Sequence, residues 1–435
     1  MPAFPATRTT RCALGALAAG ALLLGGSPAA SAGGAIGAGS APSATRSAAA
    51  PSLATYALTP ADHRMKSALA SRATTARFGA GFSGAVVDAA SNATVWRLNG
   101  AIGRMPASTN KLVTASNALT LFGPDKRWTT RVRMGKVVSH VIVQGSGDPS
   151  LSSANLDAMA AKAATWLRAK GVTAARVYVD DDVFPTPTLA YGWRTSYVPD
   201  SITAVRGLVR DQIDNADTSA EAGRYFRDRL KAHGVPTASY IGRANAASTS
   251  TVIASTAGAP LSSMVTRMLL NSDNEIAEAL HKQVGISLHY GATWTGARTA
   301  QAKELAAQSL TSGTLYDGSG LSRADRLTTL QLATIVDHGI DARTQTTLWP
   351  LKAGLPTAAR SGTLADRFTT AASKCAAGRV FAKTGTLSDV VSLAGWTTGA
   401  DGRIKTFAFV VNGKTSTTTL KQDVDMLAAT VTGCY

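Results

Sequence analysis

The chain has 435 residues, with 44 Lys or Arg against 27 Asp or Glu, so its formal net charge is +17 at pH 7. A chain of this length is long for one domain. Its six His residues show no metal-binding spacing such as H-E-x-x-H, so we predict no metal site and no cofactor.

The first 32 residues have the pattern of a secretory signal peptide. Arg8 and Arg11 precede an apolar run at 12–26, and small residues up to Ala32 offer a cleavage site. Because the run is too short to span a membrane, we predict export after cleavage near Ala32 and no transmembrane span in the mature chain. A Gly/Ala/Ser/Pro-rich segment then predicts a flexible linker over 33–53.

Export determines which partners we expect for a basic chain. Loss of Arg8 and Arg11 lowers the formal charge from +17 to +15. A basic exported protein is expected to associate with anionic polymers such as cell-wall teichoic acids, or with acidic phospholipid. Export and the absence of a nucleic-acid motif argue against nucleic acid as a partner.

The next residues, 54–128, predict the first part of a discontinuous domain. A helix is expected near 61–70 and a hairpin at 84–98, turning near Ser91-Asn92. A further helix begins at Pro106 and ends before Gly123-Pro124.

This further helix carries the string Ser108-Thr109-Asn110-Lys111. Ser108 lies near the helix N-terminus, where free N–H groups and the helix dipole favour developing negative charge. Lys111 lies on the same face, so its amine can reach the hydroxyl and act as the base that a serine nucleophile needs. A lysine serves as a base only if burial or a neighbouring cation lowers its pKa, and Lys383 is a candidate for that cation. Taken alone, the string also fits an ordinary exposed helix.

Residues 129–253 predict an inserted, smaller α/β domain. Ser108 and Ser272 are 164 residues apart, far more than a compact catalytic domain needs between two neighbouring helices. The intervening sequence has β-like runs at 129–134, 137–144 and 175–180, and a helix-like segment at 155–170.

The second string, Ser272-Asp273-Asn274, lies between two helix-periodic segments. Its side chains compete for backbone hydrogen bonds, so we predict a break between two helices that presents Ser272 and Asn274 from a loop. A plain interhelix turn is the alternative.

The third string, Lys383-Thr384-Gly385, lies in the first of three sequential antiparallel strands at 378–387, 390–396 and 403–411. Gly385 would let a substrate backbone lie close against an edge strand. The alternative is a buried core strand that contains a lysine by chance. The small and polar residues Thr384, Gly385 and Thr386 disfavour that alternative.

Cys375 and Cys434 remain after signal cleavage and suggest one disulfide. The bridge would close a loop of about 60 residues, worth about 4 kcal/mol in the chain-entropy model. Two free buried thiols are the alternative.

In this order the three strings match the signature of serine β-lactamases and penicillin-binding proteins. From about Pro51 onward, the chain resembles the class C low-molecular-mass penicillin-binding proteins, the D-alanyl-D-alanine carboxypeptidase/endopeptidase family. Strings at 145–151, 317–323, 354–356 and 361–364 support that family over its relatives.

The resemblance implies an α/β (α+β) serine β-lactamase-like fold, in which helices flank an antiparallel sheet. Residues 54–128 and 254–435 would form the catalytic domain, and 129–253 the inserted domain. The sequence between Trp193 and Tyr225-Phe226 is short, which suggests that a third family subdomain is lost or contracted.

The resemblance also implies acyl transfer on peptidoglycan stem peptides, by removal of the terminal D-alanine or cleavage of D-alanyl cross-links, and acylation by β-lactam antibiotics. The implied roles are nucleophile for Ser108, base for Lys111, proton donor to the leaving amine for Ser272, substrate-amide contact for Asn274, oxyanion-hole N–H groups for Ser108 and Thr386, and terminal-carboxylate binding for Lys383, Thr384 and Thr386. Arg323 is a candidate to bind an acidic group on the stem peptide, and a loop Arg that caps a helix is an equal alternative. A β-lactamase or a catalytically idle wall-binding protein would be the rival functions.

Overall fold

A computed structural model describes residues 57–309 and 313–435, so the predicted signal peptide and linker lie outside the described residues. The helices of these residues are α1 (Pro60–Arg72), α2 (Lys111–Phe122), α3 (Ser153–Ala169), α4 (Thr218–Ala232), α5 (Leu261–Asn271), α6 (Asn274–Ser287), α7 (Trp294–Ala307), α8 (Thr329–Ile340), α9 (Gln345–Ala353) and α10 (Thr418–Val431). The strands are β1 (Phe82–Asp88), β2 (Ala93–Leu98), β3 (Thr129–Met134), β4 (His140–Gln144), β5 (Ala174–Asp180), β6 (Thr237–Arg243), β7 (Val252–Ala257), β8 (Val380–Leu387), β9 (Val390–Thr398) and β10 (Ile404–Asn412). None of the described helices is long and apolar enough to cross a membrane.

The first sheet joins the two ends of the described chain. Its order is β2-β1-β10-β9-β8, and every neighbouring pair is antiparallel. The predicted turn at Ser91-Asn92 forms between β1 and β2, and Gly402 lies in the turn between β9 and β10; Asn92 and Gly402 both adopt a positive φ. The hairpin at 84–98 and the three C-terminal strands are therefore confirmed, and β8 is an edge strand.

Helices cover both faces of this sheet because its side chains alternate. Phe407 and Phe409 point into a core with α1 and α10, whereas Ala408 and Val410 point into a core with α2, α5, α6 and α8. This alternation places α2, which follows Ser108, against the same sheet that contains the third motif.

The second sheet is formed within residues 129–257, in the order β6-β5-β4-β3-β7. β4, β5 and β6 pair in parallel, and α3 and α4 pack their apolar faces against the sheet. β7 pairs with β3 through Ala257, opposite Thr129. The predicted boundary between residues 253 and 254 falls inside β7; that residues 129–253 form an inserted domain stays a prediction.

Candidate active site

Ser108 lies in a tight turn that precedes α2, rather than inside the helix as expected. Residues Ala107–Asn110 form a 3-10 turn, and Ala107 has a φ of +48°, a left-handed conformation that non-glycine residues adopt at a cost. The turn is anchored at the Pro106 carbonyl, which accepts hydrogen bonds from the Thr109 hydroxyl at 2.7 Å and the Ser392 hydroxyl at 2.6 Å. The protein thus holds Ser108 directly after a strained residue, in a turn fixed by these hydrogen bonds.

Lys111 is completely buried and directs its amine at Ser108. Its Nζ lies 3.0 Å from Ser108 Oγ, 2.7 Å from Asn274 Oδ1 and 2.8 Å from the Ser319 carbonyl oxygen. The first and second motifs therefore meet at one nitrogen, within hydrogen-bond reach of the candidate nucleophile.

Burial determines the ionisation of Lys111. Removal from water lowers the pKa of this amine to about 8, although the carboxylates of Glu278 and Asp317 oppose the shift. Burial is therefore the main cause that lowers the pKa of Lys111. Burial and the repulsion between the two lysines lower the pKa of Lys383 well below its usual range.

The second motif forms the predicted break between α5 and α6. Ser272 ends α5 with a φ of +61°, and Asp273 caps α6 by accepting from the Ile276 N–H at 3.0 Å. Asn274 bridges two elements, because its Oδ1 accepts from Lys111 while its Nδ2 donates to the Ser201 carbonyl at 2.7 Å. The Ser272 hydroxyl hydrogen-bonds to no other described residue.

The third motif lies on β8 beside the turn of Ser108. The Thr384 hydroxyl donates to Thr363 Oγ1 at 2.8 Å, and Thr386 is exposed. Lys383 Nζ donates to the Thr384 carbonyl at 2.9 Å and has no exposed surface. The lysine is therefore behind the strand surface that a substrate would meet.

Gly385 has a structural role in addition to the one expected. A Cβ at this position would lie 2.2 Å from Ser392 Oγ, 2.7 Å from the Pro106 oxygen and 3.0 Å from Ser108 N. The missing side chain lets β8 pack directly against the turn that carries Ser108. The glycine therefore positions the nucleophile, whether or not a substrate backbone also passes close by.

A cavity of about 420 Å³ connects the motifs. Ser108, Ser272, Thr384 and Thr386 line it, so it receives side chains from all three strings. The remaining lining residues are Gly362, Thr363, Asp366, Arg367 and Lys421. The sequence analysis did not identify Asp366, Arg367 and Lys421. The nearby string at 361–364 was its only indication that this part of the chain lies at the site.

Buried Glu278, which the sequence analysis did not identify, positions a hydrogen-bond partner of Lys111. Glu278 accepts the N–H groups of Gly318 and Ser319 at 2.9 and 2.7 Å, which orients the Ser319 carbonyl toward Lys111. Asp317 holds the same loop by accepting from the Gly320 N–H at 2.8 Å. Glu278 follows Asn274 by one helical turn, which is the spacing that could have identified it.

Three other predicted residues lie apart from the cavity. The Arg323 guanidinium makes an ion pair with Asp389 at 2.6 Å and does not line the cavity. The structure thus pairs Arg323 with a carboxylate of the same chain, and its role toward the stem peptide stays a prediction. Cys375 and Cys434 are joined as a disulfide.

Among residues 57–309 and 313–435, no cluster of His, Cys, Asp and Glu is arranged to hold a metal ion. The side chains that line the cavity present hydroxyl, amine, guanidinium and carboxylate groups.

Comparison with known proteins identifies similar chains. A model of the D-Ala-D-Ala carboxypeptidase 3 (S13) family matches residues 65–205 and 198–432. The chain is 33% identical over 374 residues to carboxypeptidase DacB of Mycolicibacterium smegmatis, covering 81% of this chain and 80% of that protein. It is 28% identical over 425 residues to a D-alanyl-D-alanine carboxypeptidase of an Actinomadura species, covering 75% and 77% of the two chains.

A solved structure of penicillin binding protein 4 from Haemophilus influenzae has a similar fold. The TM-score is 0.71 at 19% identity, over 84% of this chain and 99% of the other. The predicted serine β-lactamase-like architecture is thereby confirmed.

Proposed function

The chain belongs to the D-Ala-D-Ala carboxypeptidase 3 (S13) family, and we propose that it removes the terminal D-alanine of peptidoglycan stem peptides through an acyl-enzyme formed on Ser108. It is a serine-type carboxypeptidase. The observation that carries the assignment of the nucleophile is the contact of 3.0 Å between Ser108 Oγ and the amine of fully buried Lys111.

Acylation begins when neutral Lys111 takes the proton of Ser108 and Oγ attacks the penultimate D-alanine carbonyl. Asn274 and the Ser319 carbonyl hold the amine in place, so the proton is transferred without reorientation of the base. The oxyanion of the tetrahedral intermediate lies between the N–H groups of Ser108 and Thr386, and such donors are typically worth about 3–4 kcal/mol each.

Collapse of the intermediate requires a proton on the leaving amine. Ser272 lines the same cavity as Ser108, and its hydroxyl has no other hydrogen-bond partner among the described residues, which suits a group that passes this proton. Water then hydrolyses the ester on Ser108, with Lys111 again acting as the base. Asn274 also contacts the substrate amide in this proposal.

The terminal carboxylate binds at the β8 wall. Thr384 and Thr386 line the cavity, and Lys383 lies buried on the same strand, where its amine donates to the Thr384 carbonyl oxygen. The same pocket accounts for acylation by β-lactam antibiotics, whose carboxylate would occupy the position of the substrate carboxylate. Arg323 would bind a stem-peptide acid only after release from Asp389.

The expected setting of this reaction is outside the cytoplasmic membrane. The N-terminal sequence pattern supports export, the basic composition supports association with anionic wall polymers, and the pairing of Cys375 with Cys434 suits an oxidising compartment. We also propose residues 57–128 and 258–435 as the described part of the catalytic domain, with 129–257 inserted between them.

Hydrolysis assays test the proposal. The purified enzyme should release D-alanine from a pentapeptide that ends in D-Ala-D-Ala, and Ser108→Ala should reduce this release by several orders of magnitude without changing the thermal unfolding midpoint by more than a few degrees. A cross-linked dimer assayed in parallel measures endopeptidase action. Unchanged release by Ser108→Ala would contradict the assignment.

A further inference from the structure

The catalytic cavity contains a cation that the motifs do not supply. Lys421 projects from the first turn of α10 into the cavity that also contains Ser108, Thr384 and Thr386. It is half-buried, and its ammonium group makes no hydrogen bond or ion pair with another residue in the described part of the chain.

Lys421 lies in a position that is electrostatically unfavourable in the free protein. A lysine in the first turn of a helix meets the positive end of the helix dipole, and its side chain leans toward that end. Arg367 lies beside it, donating a hydrogen bond to the Lys421 carbonyl oxygen at 3.0 Å. Burial and the repulsion from Arg367 lower the pKa of Lys421.

The neighbouring charges leave Lys421 as the cation available to a ligand. Arg367 is engaged by Asp425 at 2.7 Å, and Lys383 is fully buried behind Thr384. Asp366 lines the cavity but is not within ion-pair distance of Lys421. An anion on the β8 side of the cavity would therefore offset an unfavourable charge and displace no existing partner.

We infer that Lys421 selects the free terminal carboxylate of the substrate, while the hydroxyls of Thr384 and Thr386 fix its orientation. This inference rests on the proposed carboxypeptidase function. It makes Lys421 a specificity-determining residue, and it assigns to Lys383 the role of holding β8 through its hydrogen bond to the Thr384 carbonyl oxygen. The ligand class is a peptide with a free α-carboxylate.

The test combines a change in the substrate with a change in the enzyme. Hydrolysis of a peptide ending in D-Ala-D-Ala is compared with hydrolysis of the same peptide bearing a C-terminal amide. In Lys421→Met, the preference for the free acid, measured as the ratio of the two kcat/KM values, should fall about tenfold. A loss of this size lies between those typical of removing an exposed ion pair and of removing a hydrogen bond to a charged group. The loss should be expressed mainly in KM, because the reacting groups are unchanged.

Three further variants make the readout specific to charge in the cavity. Lys421→Arg retains the positive charge and should retain most of the preference. Asp366→Asn removes from the same cavity a negative charge that repels the substrate carboxylate, and should lower KM for the free acid. Lys414→Met removes an exposed lysine outside the cavity and should leave the preference unchanged.

The two levels of the proposal fail in distinguishable ways. If the native enzyme prefers the free acid and Lys421→Met keeps the full preference, the role of Lys421 is refuted while the carboxypeptidase assignment stands. If the native enzyme hydrolyses neither peptide, the proposed function fails and the inference falls with it. Added salt should reduce the preference of the native enzyme more than that of Lys421→Met, and equal sensitivity of both would also refute the inference.

Discussion

The ionisation of Lys111 predicts how the acylation of Ser108 depends on pH. Because only the neutral amine can accept the serine proton, the rate should follow the deprotonated fraction. With a pKa of about 8, this fraction is roughly one-hundredth at pH 6, one-tenth at pH 7 and one-half at pH 8. The second-order rate constant for acylation by benzylpenicillin should therefore rise about tenfold from pH 6 to 7, and flatten above pH 8.

Burial is the cause of this activity near neutral pH. An unperturbed lysine, with a pKa of 10.5, would be neutral in only about one molecule in 3,000 at pH 7. The shift to about 8 thus raises the reactive fraction about 300-fold, which corresponds to roughly 3 kcal/mol of differential interaction.

The titration of two carboxyl groups near the site must be distinguished from the titration of Lys111. Burial raises the pKa of Glu275 to about 7 and that of Glu278 to about 8, so either could titrate in the same range. Glu278→Gln removes a carboxyl group whose ionised form raises the pKa of Lys111, and should move the rise in acylation rate to lower pH. An acylation rate constant that does not change between pH 6 and 8 would refute the assignment of Lys111 as the base. Loss of the rise in rate with pH in Glu278→Gln would refute it as well.

Four further predictions follow from the packing of the site. Lys111→Arg keeps the charge but cannot deprotonate, so acylation should fall 10²–10⁴-fold; near-native labelling would show that only the charge is needed. Gly385→Ala should slow acylation and destabilise the fold by about 1–3 kcal/mol, because its Cβ would clash with backbone; normal labelling and thermal stability would contradict this packing. Lys383→Ala should impair both kcat and KM and Lys383→Arg should recover only part of the loss, whereas a change in KM alone would restrict the residue to binding. Thiol titration of the denatured mature protein should detect no free thiol from Cys375 and Cys434, and two reactive thiols would exclude the bridge.

Local sequence patterns were sufficient to predict the helices and strands that carry the motifs. The break at Ser272 follows from side chains that compete for the backbone, and β8 follows from the turn residues between the three C-terminal strands. The conformation at Ser108 does not follow in this way. The left-handed Ala107 depends on contacts such as the close approach of Gly320, where a Cβ would lie 1.9 Å from the Ala107 oxygen, and such contacts join residues that are far apart in sequence.

The composition of the cavity wall was less predictable for the same reason. Lys421 reaches the cavity because α10 packs on the sheet next to the segment of Asp366 and Arg367, an arrangement set by tertiary contacts. The strand β6 and helix α4 were not expected either, because the sequence after Trp193 was interpreted as a contraction of the family's insertion. Their patterns are nevertheless present in the sequence, because α4 has 15 residues with one buried apolar face and β6 alternates exposed with more buried residues.

The most direct test of the account is the mass of the intact protein after incubation with benzylpenicillin. The mature native enzyme should gain the mass of one penicilloyl group, and peptide mapping should place that group on Ser108. Ser108→Ala should gain no mass while retaining the native thermal unfolding midpoint. Labelling of the Ser108→Ala variant at another serine would contradict the assignment of the nucleophile and the mechanism built on it.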